Sequence, residues 1–119
     1  MFWRKPKRKT EVQTQRTVGF VGEQDGEPER LLKDALVTEL RNAAGLKRAY
    51  LARVEYADGV HVALCLAAPE DPALVERIGA RFAGIFGQHE HLDILFLGPG
   101  QEAELQRVCA PFHVAVATQ

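Results

Sequence analysis

Apolar residues recur along this chain in two rhythms, at every second position and at every third or fourth, and the switches between them predict the order of its elements. From Glu11 the stretch EVQTQRTVGFVG sets Val12, Thr14, Arg16, Val18 and Phe20 alternately with Gln13, Gln15, Thr17, Gly19 and Val21. That period and its β-branched content predict a strand, firmest from Thr17 to Gly22. EQDGE then makes a turn. Pro28 suits the first helical position, where its missing N–H costs nothing, and Glu27 and Glu29 suit the positive end of a helix. Leu32, Leu36, Leu40 and Ala43 follow at helical spacing, Leu31 and Ala35 widen the stripe, and Gly45 offers a stop, so a helix is expected over 28–44.

The period then returns to two. In KRAYLARVEY, Tyr50, Ala52, Val54 and Tyr56 alternate with Leu51, Arg53 and Glu55; in VHVALCLAA, Val60, Val62, Leu64 and Leu66 alternate with His61, Ala63, Cys65 and Ala67. Ala57-Asp58-Gly59 between them is a hairpin signal. Asp71-Pro72 reads as an N-cap and first turn, and Leu74, Ile78, Phe82 and Ile85 form a helical stripe that ends at Gly87. A strand is expected over 91–97, a short helix over 101–109 after Gly98-Pro99-Gly100, and a last strand through Phe112, Val114 and Val116.

The order β-α-β-β-α-β, then α-β, predicts an α+β fold. The first six elements match the ferredoxin-like split βαβ arrangement, an antiparallel sheet with both helices on one face, to which a C-terminal α-β is added. With 119 residues, 46% of them hydrophobic, the chain encloses one core. We therefore expect a basic mobile arm over 1–10 and one α+β domain over 11–119. Arg4, Lys5, Lys7, Arg8 and Lys9 carry the arm's charge, and subtracting these five from the net charge of −1 leaves a body at −6. An acidic body argues against a nucleic-acid surface, although the arm has the composition to touch phosphates or an anionic membrane. The sequence has no stretch with the length and uniformity of a membrane span or a secretory signal, which makes a cytoplasmic, bacterial-type location the expectation. Cys65 and Cys109 each lie in an apolar run, as buried free thiols do.

The stretch LKRAYLARVEYADGVHVALCL, residues 46–66, resembles the C-terminal domain of the SseB family, named for enhanced serine sensitivity in bacteria. Ala49-Tyr50-Leu51-Ala52, the hairpin after it, the later HLDILFLG, and the ending Val108-Cys109-Ala110-Pro111-Phe112 carry the likeness, which covers roughly residues 18–113. The resemblance implies a regulatory or partner-binding role and brings no catalytic set with it.

Candidate chemistry is sparse. His89, His91 and Asp93 alternate, but on a regular strand the first and last stand roughly 13 Å apart, too far for one ion whose ligand atoms lie about 2 Å away. His89 and His91 form the one pair for a metal, and the nearest further donors on that face, His61 and Cys65, are expected two strands away, about 10 Å, in the ferredoxin-like order. Cys109 and His113 suggest a thiol-imidazole couple, yet Cys109 falls at a helix C-terminus, where the dipole disfavours thiolate. Gly98-Pro99-Gly100 lacks the Gly-Lys-Ser/Thr of a phosphate loop.

The sheet face away from the helices is expected to carry Leu51, Arg53, Glu55, His61, Ala63, Cys65, His91, Asp93 and Leu95, a mixture that suits a second copy or another protein. The leading expectation is a non-enzymatic interaction domain, without a cofactor, using Arg53, Glu55, His61, Cys65, His91 and Asp93 as its interface. One alternative is a small-ligand or enzymatic pocket around His61, Cys65, His91 and Asp93. Another is an arm-driven binder of membranes or nucleic acid. The elements after Gly100 either cover that face or leave it open.

Overall fold

A computed structural model describes residues 10–13, 18–87 and 90–115, the first of these segments by its backbone alone. The basic arm with Arg4, Lys5, Lys7, Arg8 and Lys9 lies outside the described residues, as do Thr14, Arg16, His89 and Val116. The elements are β1 (Thr10–Gln13), β2 (Gly19–Glu23), α1 (Glu27–Arg41), β3 (Arg48–Tyr56), β4 (Gly59–Ala67), α2 (Pro72–Phe86), β5 (Leu92–Phe96), α3 (Gln101–Gln106) and β6 (His113–Val114). Among the described residues no helix is long and apolar enough to cross a membrane.

Local grammar accounts for most of these boundaries. Asp71 caps α2 by accepting from the Leu74 N–H at 3.2 Å, Pro72 opens the helix, and Gly87 closes it at φ +85°, a backbone angle that a side chain disfavours. Two residues, Ala57 and Asp58, turn β3 into β4, with Tyr56 paired to Gly59. α1 ends at Arg41, three residues short of the expected stop, because the Asn42 side chain turns back to the Thr38 carbonyl.

The α+β class stands, but the ferredoxin-like strand order does not. That order would seat the N-terminal strand between β4 and β5. Instead β4 and β5 pair directly and in parallel, and the sheet runs β1-β5-β4-β3-β2, with β6 beside β3. The expected single strand from Glu11 is two strands on opposite edges: β1 lies parallel to β5, and β2 lies antiparallel to β3. Period-two alternation marks a segment as extended; it does not say which partner supplies its hydrogen bonds.

Both long helices lie on one face, as expected. Leu32, Leu36 and Leu40 of α1 and Leu74, Ile78 and Phe82 of α2 pack on Leu51, Val62, Leu64, Leu66, Leu92, Ile94 and Phe96. Eight of these thirteen are leucines on strands or facing helices, and all thirteen are buried, as a close-packed layer requires. The opposite face has its own core: Tyr50, Ala52, Val54, Tyr56, Ala63, Cys65 and Leu95, with Leu105 of α3 and Cys109 laid across it. The chain then passes round the edge of β3. Phe112 reaches the helix-side core and its N–H donates to the Ala49 carbonyl, after which His113 and Val114 pair with Ala49 and Arg48. The C-terminal elements therefore cover the second face.

Candidate functional site

The register of the hairpin decides which side chains meet. Because Tyr56 pairs with Gly59, even-numbered residues of β3 lie beside odd-numbered residues of β4: Tyr50 faces Cys65, Ala52 faces Ala63, and Val54 faces His61. Leu51, Arg53 and Glu55 consequently share the helix side with Leu64, Val62 and Val60. The expectation that Arg53 and Glu55 share a face with His61, Cys65, His91 and Asp93 is thus corrected. The structure divides those six candidates into two groups on opposite faces of the sheet, with Cys65 farther from the hairpin than the rest.

The first group is internal. With no strand between β4 and β5, Ala63 pairs with Asp93, and His61 comes next to β5. His61 Nδ1 stands 3.7 Å from one oxygen of Asp93, so the expected two-strand gap is closed. His91 Nε2 hydrogen-bonds the other Asp93 oxygen, and His61 Nε2 lies 3.0 Å from Asp58 in the turn. The Tyr56 ring sits 5.0 Å from the His61 ring, tilted by 46°. Asp93 is 2% exposed and His91 6%. A buried carboxyl group needs polar partners, and here it ties β5 to His61 of β4, which in turn reaches Asp58. Among the described residues no group of three or more His, Cys, Asp or Glu side chains is placed to hold a metal ion; His89 falls outside them.

The thiols are equally internal. Burial, with smaller contributions from Cys109 and Asp93, pushes the fully enclosed Cys65 thiol far above its ordinary value. The Cys109 thiol is pushed up to about 11, again chiefly by burial. It donates to the carbonyls of Leu51 and Ala110 instead of pairing with His113. His113, half-buried on β6, is held below the usual imidazole range by burial and by Arg41. Protonated thiols facing carbonyls are poor nucleophiles.

The second group is open. At its hairpin end the sheet runs past the helices, so Gly19, Arg53, Glu55 and Val60 are exposed on the helix side, Val60 to 50%. We refer to this area as the platform. Gly19 pairs with Glu55, and a Cβ there would stand 3.7 Å from that of Glu55. Gly22 pairs with Arg53, whose guanidinium lies over it: an added Cβ would meet Nη2 at 3.0 Å. The pairing slips between Phe20 and Gly22, which makes Val21 the extra residue of a bulge, and it is 44% exposed. Neither Arg53 nor Glu55 makes an ion pair among the described residues. Val60 and the bulge are features that sequence reasoning passed over; the apolar Val60 beside the turn was the available signal.

Sequence reasoning also missed a polar network at the other end of β3. Glu102 of α3 accepts from Arg48 Nε, from Arg48 Nη2 at 3.0 Å and from the Tyr50 hydroxyl at 2.6 Å, while Gln106 donates to that hydroxyl at 2.9 Å. Arg48 is the main reason that the Glu102 carboxyl lies below the usual glutamate range. Burial and the bond to Glu102 raise the Tyr50 hydroxyl. Two adjoining cavities of about 480 and 460 Å³ open beside this network; His61, Cys65, His91 and Asp93 line neither. No family model, curated protein or solved structure matches this chain.

Proposed function

We propose that this chain is a protein-interaction domain of the SseB C-terminal type, and that a second copy of the chain is what its platform binds. The observation that carries this reading is the pair Arg53 and Glu55: opposite charges two residues apart on one exposed strand face, roughly 7 Å from each other along the strand, with no ion-pair partner among the described residues. A two-fold axis between them sets each Arg53 against the other copy's Glu55, the self-complementary geometry that an isologous interface requires. Val60 supplies apolar contact beside these charges, and Gly19 keeps the surface low. β2 ends the sheet, and its bulge restrains strand-to-strand addition, which favours contact through the face over contact through the edge.

The buried thiols and the internally engaged His61, His91 and Asp93 support binding over nucleophilic chemistry at the positions first singled out. The resemblance in residues 46–66 and 108–112 supports the same role.

Light scattering of the full chain across protein concentration tests the reading. A concentration-dependent dimer is expected. Arg53→Glu and Glu55→Arg should each weaken it about tenfold, on the scale of one well-placed charge pair, and the double swap should restore it. A chain that stays monomeric at every concentration refutes the proposal. So does a dimer indifferent to both substitutions, or single variants that the swap does not rescue.

A further inference from the structure

β4 and β5 are parallel neighbours that end together, at Ala67 and Phe96, but the chain leaves them toward opposite faces. After β4 it enters α2 on the helix side; after β5 it enters α3 on the other side. Diverging connections leave a crevice outside the carboxyl ends of parallel strands, the place where open sheets bind ligands. Here the crevice is a cavity of about 480 Å³, within the size range of small-molecule sites. Segments 67–69 and 97–100 form its walls, all alanine, proline or glycine except Leu97, and Lys47 and Arg48 enter at the start of β3.

The charges in the cavity are unbalanced. Glu102 is engaged by Arg48 and by the Tyr50 hydroxyl. Arg48 spends Nε and Nη2 on that carboxylate, which leaves the two N–H bonds of Nη1 without an acceptor among the described residues. Lys47 makes no ion pair among them. One net positive charge therefore remains in this cavity, while Glu70 lines only the adjoining one. We infer that this cleft binds a small organic anion carrying a carboxylate or a phosphate group, with the Lys47 ammonium and the Arg48 Nη1 as its charged donors. Phosphate and carboxylate both accept from a guanidinium edge and an ammonium. The cleft and the platform lie at opposite ends of β3, so the inference stands apart from self-association.

The test is an amide-shift titration of the full chain by nuclear magnetic resonance, with inorganic phosphate in one arm and acetate in the other, at constant ionic strength set by chloride. Saturable shifts at Lys47, Arg48, Ala68 and Gly100 are expected with at least one anion, and the arm that saturates identifies the group. Lys47→Ala should raise the dissociation constant by about tenfold, the loss of one charge-assisted hydrogen bond. Lys47→Arg should keep binding within a few-fold. Arg107→Ala, an exposed charge outside the cleft, should leave it unchanged. Shifts that never saturate with either anion overturn the inference, as does an equal loss in the Lys47→Ala and Arg107→Ala variants, which marks general screening.

Discussion

Leu105 is the residue by which α3 holds the second face of the sheet. It is fully buried, in one cluster with Tyr50, Ala52, Cys65, Leu95 and Cys109. Leu105→Ala removes the only buried side chain of α3 and leaves a void over small residues. Deletions of this kind cost between roughly 2.7 and 5 kcal/mol, less where the surroundings can collapse. A six-residue helix can settle toward the sheet, so about 3 kcal/mol is expected. That is a large share of the total for a domain whose stability falls in the usual range of about 5–15 kcal/mol. In urea, with a slope of about 1.5 kcal/mol per molar, the midpoint should drop by about 2 M. The thiols give an independent reading, since Cys65 reacts with a disulfide reagent only when the sheet opens. Its labelling should accelerate about a hundredfold, the same 3 kcal/mol expressed as a population. A loss below about 1 kcal/mol with unchanged labelling of both thiols would refute the view that α3 completes a second core.

Three further outcomes follow from the site chemistry. Glu102 is depressed in the folded chain, so its contribution is complete above the unfolded value of about 4.3 and disappears as pH falls through the lower folded one. Urea midpoints between about pH 5 and 3 should therefore fall less steeply in Glu102→Gln than in the parent; parallel profiles would count against the network. For the cysteines the sign reverses. The unfolded thiols ionise first, near 8.5, so stability should decline as pH rises from there toward about 11, and Cys109→Ala should flatten part of that decline. Asp93→Asn retains an oxygen for His91 and should cost about 1 kcal/mol, whereas Asp93→Ala removes the acceptor from a buried imidazole and should cost about 2–3 kcal/mol by chemical denaturation. Equal losses would show that the carboxylate does not brace the strands.

What the sequence made legible was local. Asp71, Pro72 and Gly87 delimit α2 because a cap, a fixed φ and a left-handed angle act within a few residues of chain. Ala57 and Asp58 delimit the hairpin for a similar reason. The face assignment of Arg53 and Glu55 was also within reach, since a two-residue turn forces even positions of β3 against odd positions of β4. Strand order was not legible. Residues 10–13 and 19–23 carry the alternation expected of one strand, and only tertiary pairing sends them to opposite edges. The contact between His61 and Asp93 depends on that choice, as does the cleft beyond Ala67 and Phe96. The reach from Arg48 and Tyr50 to Glu102 spans more than fifty residues of chain and left no periodic trace.

The strap formed by α3 and the residues that pass round the edge of β3 has a consequence for how the protein comes into being. Domains start to fold from the N-terminal side as they are synthesised. Everything needed for the helix-side core except Phe112 has been made once Phe96 is added, whereas Leu105 and Cys109, the lid of the opposite face, come later. Until then a newborn chain presents Tyr50, Ala52, Val54, Cys65 and Leu95 as a bare apolar surface. A premature stop or a rigid fusion near residue 100 would hold the chain in that condition, with an intact helix layer and one adhesive side, a species suited to capture by chaperones or to aggregation.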